Sequence, residues 1–566
     1  MFSTLPKSSE KFLSWTWQQF KPYADELTQR PLNTAGMTQW LTDWSDLSRI
    51  VSEIYQRLYV AITVDTTDQQ AEQRYNAFLE DVFPNALALD NTLKSRLLES
   101  GLQPAGFEQV LKNLQAEAEI YRDANLPLLS QELAFNSEYD KLIGAQTVEW
   151  EGKEVTLSQL QPVYQNPDRL TRQQAWQMAM ERRLADRAAL NELWGKLLEL
   201  RGSVAANAGL PDFRAYVWKQ NHRFDYTPDD CRTFHQAIEE VVVPACLRIY
   251  ERRRERLGLE TLRPWDLDVD PLGRPALRPF KDVAELEAKC AAIFHKVDPQ
   301  LGKYFELMRR QKLLDLDNRK GKAPGGYCTN FDVVHLPFIF MNSVGLHDDV
   351  QTLLHEGGHA FHVFETAALP YHQQLNVGME FAEVASMAME LLSAPYLPSS
   401  QGGFYADADA ARARIEHLES AILFWPYMAV VDAFQHWVYE NLQAASDPAN
   451  CDAQWDALWL RFMPGVDWSG LEQERMTGWQ RKLHIFQVPF YYIEYGLAAL
   501  GAMQVWRNAI RDQAGAVAAY RKALALGGTV PLPVLYNTAG ARFAMDSAIL
   551  RQAVELAETT IDKLQA

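Results

Sequence analysis

Apolar residues recur along most of this chain at intervals of three and four, the period of an amphipathic helix. One run begins at Thr171, where Thr171 and Gln174 have the spacing of a capping box. It continues through Trp176, Met180, Leu184, Ala188, Leu193, Leu197, Leu200 and Val204 to a stop at Gly209 and Pro211. Comparable runs extend from Glu10 to the C-terminus, separated by short punctuation such as Asn166-Pro167-Asp168. The pattern predicts a mostly α fold. Two stretches interrupt it. The segment from Gly258 to Pro279 holds Pro264, Pro271, Pro275 and Pro279 and predicts a link between an N-terminal helical lobe and later elements. Farther on, Gly325 and Gly326 precede Val333 to Asn342, a β-rich run in which Pro337 predicts the edge strand of a small sheet.

Composition adds scale. With 566 residues, 47% of them hydrophobic and 23% charged, the chain buries a large core and is not disordered. Its length predicts two to four subdomains, or fewer in a large helical architecture. Lys and Arg number 55 against 73 Asp and Glu, a formal net charge of −18. That charge repels phosphate backbones and anionic membranes, so neither nucleic acid nor a membrane surface is an expected partner. The five cysteines (Cys231, Cys246, Cys290, Cys328 and Cys451) are scattered and never form CxxC, which predicts neither a disulfide framework nor a cysteine zinc site. A reducing compartment fits, and with no charged leader and no long apolar run the expected location is cytoplasmic.

Chemistry concentrates near the middle of the chain. Asp348 and Gln351 have the spacing to cap a helix carrying His355-Glu356-Gly357-Gly358-His359. Histidines at i and i+4 share one helical face and can bind a single zinc ion, while the intervening glutamate can act as general base on a zinc-activated water. This HExxH pattern also occurs by chance in long chains, so context must support it. Six of the twelve histidines (His335, His347, His355, His359, His362 and His372) cluster here. From Ala323 through Ala411 there is no Lys or Arg, against ten acids. In the apolar run Val377 to Leu392, Glu380, Glu383 and Glu390 form one stripe. Buried carboxylates pair, protonate or bind metal, and a divalent cation with its histidine ligands is the partner this composition leaves. His362 lies one turn beyond the pair and reads as a cleft or outer histidine. Gly at 362 and His at 365, the metzincin pattern, are absent. By spacing alone Glu380 and Glu383 are nearly equal candidates for the third ligand, and Glu390 can hold a histidine N–H.

Four blocks in order carry a resemblance: Asp317 to Cys328, Pro337 to Asn342, Asp349 to His362, and Glu380 to Glu390. Together the sequence resembles the oligoendopeptidase F and thimet oligopeptidase family of zinc metallopeptidases. The resemblance implies one zinc per chain held by His355, His359 and Glu383, with Glu356 as base and Glu390 as a further acid behind the ligands. It implies two helical lobes enclosing a deep substrate channel, with a small β-sheet near the HExxH helix. We expect an N-terminal helical lobe over 1–195 and the catalytic region over 196–566. It implies peptide binding by strand addition around Phe338 to Asn342, with Gly325, Gly326, Tyr327, Phe340, Asn342 and Tyr491 as substrate contacts. The late segment from Lys482 to Gly496 resembles the family's His and Tyr segment, which gives His484, Tyr492 and Tyr495 the oxyanion role. The implied activity is hydrolysis of internal bonds in short unfolded peptides. A carboxypeptidase or dipeptidyl carboxypeptidase on the same scaffold is the alternative, with Arg319, Lys320 or Lys322 available for a terminal carboxylate. A non-catalytic peptide-binding scaffold is the other, and the intact Glu356 argues against it.

Overall fold

The structure is a computed structural model describing residues 2–319, 321–323 and 325–565. Helices dominate, as the periodicity predicts. Those that position the residues of interest are α1 (Met37–Val64), α2 (Pro228–Leu257), α3 (His347–Thr366), α4 (Met379–Ser393), α5 (Asp407–Glu440), α6 (Leu483–Gln487) and α7 (Tyr492–Arg511). Strands β1 (Thr147–Trp150) and β2 (Lys153–Thr156) form a hairpin, and β3 (Leu314–Asp317), β4 (Tyr327–Phe331) and β5 (Leu336–Ser343) form a second sheet. No helix among the described residues is long and apolar enough to cross a membrane.

The chain folds into two compact units, each assembled from three stretches. One comprises Met1–Ala118, Leu277–Ala413 and Gly501–Phe543; the other comprises Glu119–Ala276, Arg414–Leu500 and Ala544–Ala566. Neither is a contiguous portion of the chain such as 1–195, because segments distant in sequence complete each core. One boundary, Ala276/Leu277, does fall within the proline-rich segment. The first unit's core includes Trp40, Trp44, Ile54 and Phe78. In the second, Trp176 and Trp265 pack with Leu160 and Leu471.

The helix expected from Thr171 to Val204 is two helices, Arg169–Ala185 and Arg187–Asn207, broken at Asp186. The first starts before Thr171 because the Asp168 side chain accepts the Thr171 N–H at 2.9 Å. Its first turn also anchors the proline-rich segment. Asp266 is fully buried and accepts from Arg169 at 2.7 Å and from Arg172 at 2.9 Å. Burial would raise the Asp266 carboxyl, but hydrogen bonds from Arg169, the Arg263 N–H and Arg172 outweigh it and hold it below the usual range. Its stabilisation is therefore present above an unfolded value of about 3.9 and is lost as pH falls through the lower folded value. Asp266→Asn leaves the Arg172 guanidinium buried without its counterion and is expected to cost about 3–5 kcal/mol. Denaturant titration at neutral pH measures this, and a change below about 1 kcal/mol, the scale of an exposed ion pair, refutes it.

The second sheet has the order β3-β5-β4, so β5 is its central strand. This corrects the edge-strand expectation. β5 pairs parallel with β3 from Leu314↔Ile339 onward and antiparallel with β4 from Phe331↔Leu336 to Tyr327↔Phe340. Pro337 faces Asn330 of β4 and lies beyond the reach of β3, so its missing N–H interrupts no ladder. Within the backbone from Phe338 to Asn342, expected to receive a peptide, Phe338 to Phe340 pair with β4, and Ile339 and Phe340 pair with β3 as well.

Candidate metal centre

Helix α3 begins at His347, and the carboxylate of Asp349, rather than Asp348, organises its start. Asp349 Oδ2 accepts the backbone N–H groups of Val344, Gly345 and Leu346 at 2.7–2.9 Å. About two turns later the helix presents His355 and His359 on a common face, with ring centroids 5.0 Å apart. Helix α4 crosses it closely. A Cβ at Gly358 would stand 2.6 Å from Ser386 Cα, so a side chain there would force the helices apart. That approach places Glu383 Oε2 3.4 Å from His355 Nε2 and 3.7 Å from His359 Nε2.

The ligand atoms of His355, His359 and Glu383 all lie within 4.8 Å of one another, a donor set that can hold a divalent metal ion. Two imidazoles and one carboxylate leave a fourth tetrahedral position open, as in catalytic zinc sites. Glu380, the other candidate by spacing, is buried but is not in this set. Its Oε2 lies beside Gly378 in the first turn of α4, where the helix dipole favours an acid. Glu383 is further fixed by Ser386, whose hydroxyl donates to Oε2 at 3.0 Å. His355 Nδ1 lies 2.6 Å from Glu390 Oε1, which fixes the ring and turns Nε2 toward the set. Glu390→Gln is therefore expected to weaken metal affinity by about 10–100-fold with the fold intact. Equilibrium metal titration reads this, and unchanged affinity would remove Glu390 from the centre.

Charge at the centre is finely balanced. Burial would lower the His355 imidazolium, but hydrogen bonds with Glu383 and Glu390 keep it well above the usual histidine range. Burial drives His359 down to about 4. Glu383 falls to about 2 because His355 and His359 outweigh its own burial. Glu356 rises to about 7: burial pushes it up, the Glu383 and Glu390 charges add to this, and His355 and the Cys328 N–H oppose it. Cys328 itself is half-buried, and desolvation of its thiol, with Glu356 nearby, pushes it well above its usual value. Buried His362 is driven down to about 4, stands edge-on to Phe381 and takes no part in the donor set.

The expected substrate contacts near the sheet are committed to internal interactions. The Tyr327 hydroxyl shares a hydrogen bond with Thr63 at 2.6 Å, and its ring stacks on Phe340 at 4.8 Å. Phe340 is fully buried. Asn342 donates to the carbonyls of Ala323 and Gly325 at 2.8 and 2.9 Å. Gly325 has φ +94°, which explains a glycine there through the turn it makes.

His484 and the tyrosines lie in the other unit, where they form a cluster of their own. The His484 ring is 4.8 Å from Tyr492, 5.8 Å from Tyr491 and 6.0 Å from Tyr495. Tyr492 is 5% exposed, packed against Tyr427 and Phe424, whereas Tyr491 and Tyr495 are half-buried. Burial, with Lys482 close by, holds His484 at about 4 and hence neutral.

The residues that support this cluster escape sequence reasoning. Arg201, fully buried, donates to the carbonyls of Ile485 and Phe486 and to the Tyr439 hydroxyl. Arg223 donates to the Phe490 carbonyl and to Glu494, each at 2.6 Å. Gln435 accepts the Phe490 N–H at 2.7 Å, where Phe490 takes φ +65°. The partners stand 55 to 285 positions apart. Only Arg201, a lone cation among Leu197, Leu198, Leu200 and Val204, carries a hint in the sequence; Arg223 follows Lys219-Gln220-Asn221-His222 and carries none.

A family model described as peptidase family M3 matches residues 163–555. An "Oligoendopeptidase F homolog" of Borreliella burgdorferi is 22% identical over 310 residues, covering 53% of this chain and 50% of the relative, so the match spans about half the relative's length. Among solved structures, PZ peptidase A with an inhibitor is similar over 100% of this chain and 99% of its own, at 30% identity and TM-score 0.87. A candidate oligoendopeptidase F is similar over 99% of this chain and 98% of its own, at 29% identity and TM-score 0.87.

Proposed function

The chain belongs to peptidase family M3, and from that premise we propose that it is a zinc-dependent oligopeptidase hydrolysing internal bonds of short unfolded peptides. The observation that carries this reading is the donor set of His355, His359 and Glu383 with the Glu356 carboxylate on the same helix. When bound, zinc supplies a Lewis acid that polarises the scissile carbonyl and acidifies water. Glu356 takes the proton from the attacking water and passes it to the leaving amine. A value near 7 lets one carboxylate act as base and then as acid. Glu390 keeps His355 in the ligating orientation.

Oxyanion stabilisation is assigned to Tyr495, Tyr492 and His484 on the resemblance of their segment. The exposures favour Tyr495, with Tyr491 beside it, over the buried Tyr492. A neutral phenol donates a hydrogen bond to a developing oxyanion without first needing a counterion. Strand addition is assigned to the outer side of β4, since Ile339 and Phe340 of β5 are paired on both sides.

The endopeptidase reading is favoured over a carboxypeptidase by the cations near the sheet. Arg319 binds Asp315 at 2.6 Å and Asp317 at 2.9 Å, and the fully buried Lys322 binds Asp315 at 2.7 Å. Lys320 lies outside the described residues. Mass spectrometry of a peptide library with free and amidated C-termini, with and without a chelator, tests the function. Internal cleavage is expected regardless of amidation and is expected to stop with the chelator. Cleavage restricted to free C-termini would establish the exopeptidase, and chelator-resistant cleavage would overturn the metal-dependent reading.

A further inference from the structure

A second cluster of metal-ligating side chains is buried in the unit that holds His484. Cys231 and His235 stand one turn apart on α2, and Asp432 and His436 one turn apart on α5. The i, i+4 pairing that builds the centre on α3 thus occurs twice more, on two helices facing each other. The ligand atoms of Cys231, Asp432 and His436 lie within 4.8 Å of one another. Cys231 is 0% exposed, and the side chains of Asp432 and His436 are 0% and 4% exposed.

Three observations distinguish this cluster from an ordinary buried ion pair. Asp432 Oδ1 has no hydrogen-bond partner. His436 Nε2 also lacks one, although it stands 3.3 Å from Asp432 Oδ2. That separation equals the spacing of about 3.3 Å between two ligands at a tetrahedral centre with bonds near 2.0 Å. His235 Nε2 lies 2.8 Å from that same Asp432 Oδ2 and so fixes the carboxylate, as an outer partner does at a metal site, which leaves Oδ1 as the oxygen without a hydrogen bond. His436 Nδ1 faces the Arg214 guanidinium at 3.5 Å, which leaves Nε2 as the nitrogen directed at the cluster. Two buried polar atoms without a hydrogen bond are costly, and one cation held by the carboxylate and His436 Nε2 would satisfy both.

We propose that Cys231, Asp432 and His436 form a second metal site that binds zinc or a similar borderline divalent ion, with His235 positioning Asp432. A thiolate, an imidazole and a carboxylate together select zinc over hard cations such as magnesium or calcium. The site ties α2 to α5, and α5 also supplies Gln435, which accepts the Phe490 N–H ahead of the tyrosine cluster. Its role is structural support of that segment.

The test uses full-length protein stripped of metal with a chelator and titrated with Co²⁺ alone. Wild type is expected to bind two ions per chain and to develop a near-ultraviolet thiolate-to-cobalt charge-transfer band. Cys231→Ser is expected to bind one ion and to lose the band, while Cys328→Ala keeps it. His355→Ala/His359→Ala is expected to bind one ion and retain the band, which separates this site from the centre on α3. Wild type with no band overturns the proposal, as does a band that persists in Cys231→Ser or disappears in Cys328→Ala. The wild-type spectrum is decisive even where a substituted chain does not fold.

Discussion

Glu356→Gln is expected to lower peptide hydrolysis by about 10²–10⁴-fold, the range attributed to a positioned general base, while metal content stays at the wild-type level. The two effects separate because Glu356 is outside the donor set of His355, His359 and Glu383. Glutamine has nearly the same shape, but it cannot take a proton from water. The substitution also removes a carboxylate that burial, helped by the Glu383 and Glu390 charges, pushes up to about 7, so the fold loses no favourable charge. Steady-state kcat with metal analysis on the same sample checks both parts. Full activity with full metal content would sink the mechanism, whereas joint loss of metal and activity would place Glu356 among the ligands.

The second large effect is expected from His359→Ala, which removes one of three donors. Metal affinity should fall by much more than the 10–100-fold that losing an outer partner costs, and hydrolysis should fall with it. Stability of the metal-free protein should change little by comparison. Burial holds His359 down at about 4, so at neutral pH its removal costs no more than the 3.7 Å contact with Glu383 Oε2, and the adjacent Gly358 keeps α3 and α4 in close contact. Bound metal after dialysis against a defined metal buffer, read beside the unfolding midpoint of the stripped protein, tests this. Wild-type metal binding by the variant would refute the assignment.

Helical class and the position of the HExxH helix were legible because each depends on residues close together in sequence. The period of apolar positions and the i, i+4 histidine pair are local properties, unaffected by what packs around them. The same kind of reasoning misjudged β5. Pro337 reads as an edge residue by propensity, yet only the short reach of β3 decides that its missing N–H faces no neighbour. The run from Thr171 to Val204 shows a similar limit, because an unbroken apolar stripe does not register the stop at Asp186. Looking for cysteines in CxxC pairs also passed over Cys231, whose candidate partners on α5 are 201 and 205 positions away.

The choice between Glu380 and Glu383 shows most clearly where sequence stops. Both lie on the same stripe of one helix, three residues apart, and helical spacing treats them almost alike. The crossing at Gly358 fixes the rotation of α4 against α3, turning Glu383 toward two imidazoles and leaving Glu380 at its own helix terminus. The sequence by itself determined which chemical groups are available and which share a helical face, because a helix repeats every 3.6 residues whatever surrounds it. Only tertiary packing decided which of those groups meet across helices and strands, since close approach depends on side-chain volumes contributed by segments far apart in the chain.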